Sequence, residues 1–350
     1  MRIKLKNLIS TEQLSNYFHF MKFISLFLFS YLTLGAHAQK FTYLTGQTQG
    51  TTFRISYQDP KQRDFSKKVN QLLADFDASV STYNPQSIIT KINQNQSGVK
   101  LDAYFVTCFE QAKEIWKITQ GAFDPTVYPL VNAWGFGPEH KSEIEQQKLD
   151  SLLTFVGFDK IEIVKGQVVK KDPRVQLDFN AFAQGYSVDV IADFLIKKGV
   201  QNFIVEIGGE VYAHGQAENG KWRVGIEQPV ENKTSKNELQ IIIEMENMAV
   251  ATSGNYRRFK EVDGKKIVHH IDPHTGKPTA NNLLSASVFS AHAIQSDALA
   301  TGFLVLGLEK SKAFLKQHPE IQVFFIYTDD QGKYQVFITD QLMEWIAAQQ

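Results

Sequence analysis

Residues 178–209 read DFNAFAQGYSVDVIADFLIKKGVQNFIVEIGG, and this stretch passes through three kinds of local structure. From Ala183 onward, Val188, Ile191, Ala192 and Leu195 recur at the spacing of one helix face. Gly199 then punctuates the chain, and Phe203-Ile204-Val205-Glu206-Ile207 reads as a short buried strand ending in the turn Gly208-Gly209. A helix leading directly into a buried strand implies helices packed on a sheet.

The flanking sequence continues the pattern. Phe53, Ile55 and Tyr57 alternate with polar neighbours as in a strand, while Val69, Leu72, Leu73 and Phe76 follow helical spacing. A further helix is expected from Tyr104 to Thr119, burying Phe105, Cys108, Phe109, Ala112, Ile115 and Trp116. The second half is strand-rich, with short apolar runs at Leu239–Met245, Ser285–Phe289, Ile321–Tyr327 and Gln335–Ile338. Neither an internal repeat nor a long linker interrupts the chain. The expected class is α+β, with mixed or antiparallel strands in one continuous sheet system and helices packed on it.

Composition bounds the function without identifying it. The 350 residues are 43% hydrophobic and 21% charged, enough for a substantial core in one large domain or two modest ones. Thirty-seven basic residues balance thirty-seven acidic ones, so overall charge recruits neither nucleic acid nor an anionic membrane. Cys108 is the only cysteine, which excludes an intramolecular disulfide and zinc-type cysteine spacing. It is expected to pack as a small apolar residue. A metal in this protein should therefore prefer oxygen ligands.

At the N-terminus, Met21-Lys22, the apolar run Phe23–Leu34 and Ala36-His37-Ala38 read as a secretory signal with an A-x-A cleavage site. Residues 1–38 are thus expected to be an upstream extension plus signal peptide, with the mature chain starting near Gln39 and one functional domain over 39–350. The apolar run falls short of the roughly 20 residues of a spanning helix, so no transmembrane anchor is expected. No cysteine follows it to carry a lipid. Export to the periplasm or the outer face of the inner membrane, soluble after cleavage, is the expectation.

Three places could carry chemistry. Asp178–Gly185 lies at an expected helix start, where free N–H groups and the helix dipole favour a phosphate. Gly208-Gly209 would let a ligand approach the backbone. Each also reads as an ordinary cap or turn. Asp297 and Thr301 stand four residues apart, on one helix face, where their oxygens could hold a hard cation or simply hydrogen-bond each other.

Nine segments, taken in order, narrow these choices: Gly46–Thr51, Ser81-Thr82-Tyr83, Gly121–Thr126, Trp134-Gly135-Phe136-Gly137, Asp178–Gly185, Glu206–Gly209, Ala251–Tyr256, His270-Ile271-Asp272-Pro273 with Gly276, and Asp297–Thr301. Together they resemble the successive motifs of the ApbE family, whose fold is a T-fold-like α+β architecture. The resemblance implies FAD lying across Gln49, Tyr83, Ala122, Phe123, Asp124, Asp178 and Gln184, with Ile271 nearby. It also implies magnesium held by the Ala181 carbonyl, Asp297 and Thr301. The implied activity is FAD:protein FMN transfer: FAD is split, FMN is joined by a phosphoester to a threonine or serine hydroxyl of an exported acceptor flavoprotein, and AMP leaves. Such acceptors resemble electron-transport subunits carrying a short threonine-containing motif.

Two departures from the family pattern stand out. Gln49 replaces a frequent methionine, and Asn180 and Gln184 replace a glycine-rich, lysine-containing sequence. Arg257 or Arg258 could restore the missing charge. His270 is a candidate general base, since an imidazole titrates near the working pH, and Asp297 is placed with it in catalysis. The competing readings are an FAD pyrophosphatase releasing FMN and AMP, and a non-catalytic flavin-binding protein.

Overall fold

Successive apolar residues on a strand point to opposite faces, so a strand apolar at consecutive positions needs cover on both sides. The computed structural model, which describes residues 40–136, 144–227, 239–255, 259–262 and 265–346, satisfies that need with one antiparallel sheet. Its eight strands are β1 (Thr42–Thr48), β2 (Thr51–Gln58), β3 (Asn202–Ile207), β4 (Glu210–His214), β5 (Met248–Gly254), β6 (Leu283–Ser290), β7 (Gln322–Thr328) and β8 (Tyr334–Ile338). Each pairs with the next in chain order. The expected signal segment 1–38, Gly137, Arg257 and Arg258 lie outside the described residues.

The four principal helices are α1 (Ser66–Val80), α2 (Ala103–Ile118), α3 (Ala183–Lys197) and α4 (Ala293–Leu306). Phe53, Ile55, Tyr57, Phe203, Val205 and Ile207 face α1 and α3, meeting Val69, Leu73, Val188, Ile191 and Leu195. Further along the same face, Val288, Val323 and Phe325 meet Leu299 and Phe303 of α4, backed by Phe105 and Phe109 of α2. Cys108 is buried in this layer, as its place on the helix predicts. The intervening residues, among them Val250, Phe289, Phe324 and Ile326, point the other way. The α+β expectation therefore holds, with one difference. Leu239–Met245 forms a strand but does not join the main sheet; it pairs with Trp222–Glu227 in a separate hairpin. Ile243 and Met245 are needed there, covering the sheet's second face.

Helix α4 is buried along almost its whole length, and accordingly its sequence is apolar or small on every side. It lies against α3 at a close crossing. A β-carbon at Gly185 would press on the Ala293 carbonyl oxygen and stand 2.7 Å from Asp297 Cβ. Two sets of polar bonds fix the pair. The Gly185 N–H donates to Asp297 Oδ2 at 3.0 Å, and the Ala293 and Ile294 N–H groups donate to the Asp189 carboxylate at 2.8 and 2.9 Å. Residue 185 thus meets 297 while 189 meets 293, so the helices run antiparallel. Each supplies the carboxylate that satisfies amides in the other's first turn, which an isolated helix leaves unbonded.

Replacing Gly185 with Ala should lower stability by about 1–3 kcal/mol, the usual result of overpacking a close crossing. A urea midpoint unchanged from wild type would show that the crossing has room to spare.

Candidate functional site

The helix crossing forms the floor of a cavity of about 410 Å³, within the common range for small-molecule sites. Its walls come from several stretches of chain: Thr82-Tyr83, the Ala122–Pro125 turn after α2 and the segment from Val127 to Phe136, the approach to α3 at Asp178–Gln184, the β3–β4 turn at Gly208–Glu210, the end of β5 at Thr252–Gly254, and His269–Pro273.

Asp297 and Thr301 project from α4 into this space, one helical turn apart, and Ala181 meets them from the start of α3. The Thr301 hydroxyl donates to the Ala181 carbonyl at 3.4 Å and lies 3.1 Å from the Ser253 hydroxyl. Burial pushes Asp297 well above the usual carboxylate range; the negative charge of Glu210 adds to this and the Gly185 N–H opposes it. A carboxylate, a hydroxyl and a carbonyl held together around a buried negative charge are hard oxygen donors, and this set fits magnesium. Among the described residues no group of three or more His, Cys, Asp or Glu side chains could hold a metal, so an ion here would rely on carbonyl and hydroxyl oxygens as well.

The expected anion site at the start of α3 is largely taken. The Ala183 N–H donates to the Phe179 carbonyl at 2.8 Å, and Gly185 binds Asp297. This helix start therefore serves to place the chain's own carboxylate, which competes for the same amides that a phosphate would use.

The other expected residues have distinct roles. Ala122, Phe123 and Asp124 line the cavity, but Asp124 is spent inside the chain. Its Oδ1 accepts from the Thr126 N–H and hydroxyl at 2.8 and 2.6 Å, and its Oδ2 accepts from the Phe158 N–H at 3.0 Å. Asp178 also lines the cavity, accepts the Asn180 N–H at 2.9 Å, and is pushed up to about 6 by burial. The Asn180 amide reaches across to the Thr82 hydroxyl at 3.1 Å, beside Tyr83, which is 75% exposed at the rim. Gln184 reaches the cavity and packs against Gly208, where φ is +71° and a β-carbon would come within 2.8 Å of Gln184 Nε2. Gln49 stands apart: it sits in the β1–β2 turn at φ +50° and is not among the lining residues. Its amide nitrogen and oxygen are buried without a hydrogen-bond partner.

His270 and Ile271 also line the cavity, and both are buried. Asn255 donates its amide to the Leu283 carbonyl at 3.2 Å, which leaves Asn255 Oδ1 as the acceptor facing His270 Nδ1 at 2.6 Å. The hydrogen-bond network therefore assigns the imidazole proton to Nδ1 and a bare lone pair to Nε2. Burial, and then the neighbouring His269, hold His270 well below the ordinary histidine range, so it stays neutral. The following turn is anchored by the Trp134 indole, which donates to the Gly276 carbonyl at 2.7 Å, so two of the sequence motifs pack on each other.

The residues that sequence reasoning left without a role are Ser253, Asn255, Glu210 and Asp189. The first two lie inside a quoted motif but act on partners far along the chain. Glu210 and Asp189 gave no signal beyond being acidic near a turn and on a helix.

The chain is similar to known proteins over most of its length. The ApbE family model matches residues 49–325. The chain is 34% identical over 304 residues to the FAD:protein FMN transferase of Haemophilus influenzae, covering 83% of this chain and 87% of that protein. It is 36% identical over 298 residues to that of Vibrio cholerae, covering 82% and 88%. The solved apo structure of the Pseudomonas stutzeri flavinyl transferase ApbE superposes with a TM-score of 0.79 at 31% identity, over 89% of this chain and 98% of that one.

The raised Asp178 gives a signed pH prediction. Its carboxyl titrates near 3.9 in the unfolded chain and at about 6 in the folded one. Between those values the folded state holds a proton that the unfolded state has lost, so stability falls as pH rises through this window. Asp178→Asn lacks the penalty, and its advantage over wild type in urea unfolding should grow from pH 4 to pH 7. An advantage independent of pH would contradict the raised Asp178 carboxyl.

Proposed function

We propose that this chain, which belongs to the ApbE family, is a magnesium-dependent FAD:protein FMN transferase acting on a threonine or serine hydroxyl of an acceptor protein. The observation that carries this reading is that Ala181, Asp297 and Thr301 line one cavity together with neutral His270. Tyr83, Ala122, Phe123, Asp124, Asp178, Gln184 and Ile271, which line the cavity, are read as the FAD-binding set, and Gln49, which does not line it, is included on the family resemblance alone. Tyr83 supplies a ring at the rim, and Asp124 acts by holding the Ala122–Phe123 turn in shape.

The chemistry is displacement at the FMN-side phosphorus of FAD. The acceptor hydroxyl oxygen forms the new O–P bond, its proton passes to His270 Nε2, and the bond to the AMP phosphate oxygen breaks. Magnesium, when bound, would supply charge neutralisation on the diphosphate. Asp297, Thr301 and the Ala181 carbonyl would hold it, and the α3–α4 crossing keeps these donors in register. Asn255 fixes the tautomer that leaves His270 able to accept a proton. Burial leaves His270 unprotonated but moves it below the near-neutral range that suggests a base, which makes it a weaker one.

Residues 1–38 are read as an upstream extension and export signal, and 39–350 as the transferase domain of a periplasmic protein or one at the outer face of the inner membrane. Among the described residues no helix is long and apolar enough to cross a membrane. The acceptor is then an exported electron-transport flavoprotein with a threonine-containing motif.

The test mixes protein, FAD, magnesium and a candidate acceptor domain, and follows covalent flavin by in-gel fluorescence and free AMP by chromatography. Labelled acceptor and AMP should appear in equal amounts and be lost in Asp297→Ala or with a chelator. His270→Ala should slow transfer about 100-fold to 10,000-fold, the range for losing a general base. FMN and AMP in solution with unlabelled acceptor would establish a pyrophosphatase instead, and intact bound FAD a binding protein.

A further inference from the structure

A hydroxyl carries one proton and two lone pairs, so a threonine that lends its oxygen to a cation must turn its proton elsewhere. Among the described residues the Thr301 hydroxyl has two hydrogen-bond partners, the Ala181 carbonyl at 3.4 Å and the Ser253 hydroxyl at 3.1 Å. Ala181 is read as a ligand of the same ion. A proton shared between the Thr301 and Ala181 oxygens puts positive charge where both have to offer lone pairs, and like charges repel. Ser253 Oγ is the acceptor that remains for it.

The sheet places Ser253 for this task. It sits on β5 opposite Ala286 of β6, so the ladder between the two strands fixes its backbone. Strand alternation sends its neighbour Thr252 to the other face, where the Thr252 hydroxyl lies 2.8 Å from that of Ser287. Of this Thr-Ser pair, Ser253 is the one that reaches α4, and it lines the cavity. Among the described residues Thr301 is the one hydrogen-bond partner of its side chain. The bond can therefore run in either direction. Ser253 donates while Thr301 bonds the Ala181 carbonyl, and it accepts once the Thr301 proton turns away from that carbonyl; the exchange rotates two hydroxyls and moves no heavy atom.

We propose that Ser253 is a positioning residue for the divalent-cation site: it accepts a hydrogen bond from the Thr301 hydroxyl and thereby turns a Thr301 lone pair toward the ion. This rests on reading Ala181, Asp297 and Thr301 as the cation site. Ser253 acts through Thr301 alone. Without the serine hydroxyl, the Thr301 proton keeps only the Ala181 carbonyl among its described partners, and two of the three donors are then engaged with each other.

The test titrates Mn²⁺ into the full chain with FAD present and follows the free-ion electron paramagnetic resonance signal, with thermal melts of the same variants in chelator run alongside. Ser253→Ala should weaken Mn²⁺ binding about tenfold, the change expected for one lost hydrogen bond. Its cation-free melting temperature should match wild type, because Thr301 keeps the Ala181 carbonyl as its acceptor. Thr301→Val should also weaken binding, and adding Ser253→Ala to it should weaken binding no further, since no hydroxyl is left to orient. Wild-type affinity in Ser253→Ala would overturn the inference and leave the cation site standing. So would a further loss in the double variant, which marks Ser253 as a ligand in its own right, or a lowered cation-free melting temperature, which marks a structural role. Absence of Mn²⁺ binding in the wild-type chain with FAD would overturn both.

Discussion

The close antiparallel crossing of α3 and α4 is the constraint on which the rest depends. Gly185 permits it, because no side chain fits between α3 and the Ala293 carbonyl. The exchange of carboxylates locks it, with Asp189 bonded to the first amides of α4 and Asp297 to the Gly185 amide of α3. Buried polar groups of this kind are costly when unmade and specific when satisfied, so the register of one helix on the other is set by bonds as well as packing. The site inherits that register. Asp297 cannot shift without breaking its bond to α3, and Thr301, one turn along α4, keeps its distance to the Ala181 carbonyl.

Electrostatics turns this scaffold toward function. Asp297 and Asp178 are both pushed upward by burial, so the folded chain holds negative groups where water would stabilise them better. Charged groups in such places are a common mark of a site whose ligand completes the charge balance. The same burial works in the opposite sense on His270, keeping it neutral, while Asn255 dictates which nitrogen carries the proton. A cavity lined by both hard oxygen donors and a neutral imidazole acceptor suits phosphorus chemistry that needs both charge neutralisation and proton removal.

Much of this architecture was legible in the sequence. The 3.6-residue period of Val188, Ile191, Ala192 and Leu195 located α3, and the expected strands at 203–207 and 285–289 formed in the main sheet. The Asp297–Thr301 spacing fixed both residues to one face of a helix. Local pattern could not reveal what depends on contacts over long separations. Nothing near Asp189 announces that it bonds amides more than a hundred residues away. The helix-start reading at Asp178–Gly185 identified amides suited to a negative group, yet the group that claims Gly185 is the chain's own Asp297. Leu239–Met245 has strand composition, but periodicity says nothing about whether a strand extends a sheet or covers its face. Gln49 sits in a turn whose relation to the cavity is a matter of tertiary placement.

The most direct test of the account is a crystal structure of the protein with FAD and Mn²⁺, using anomalous scattering to locate the ion. The account predicts a peak bounded by the Asp297 carboxylate, the Thr301 hydroxyl and the Ala181 carbonyl, in contact with the FAD diphosphate. Flavin in the cavity with no ion at that position, or an ion bound elsewhere, would contradict it.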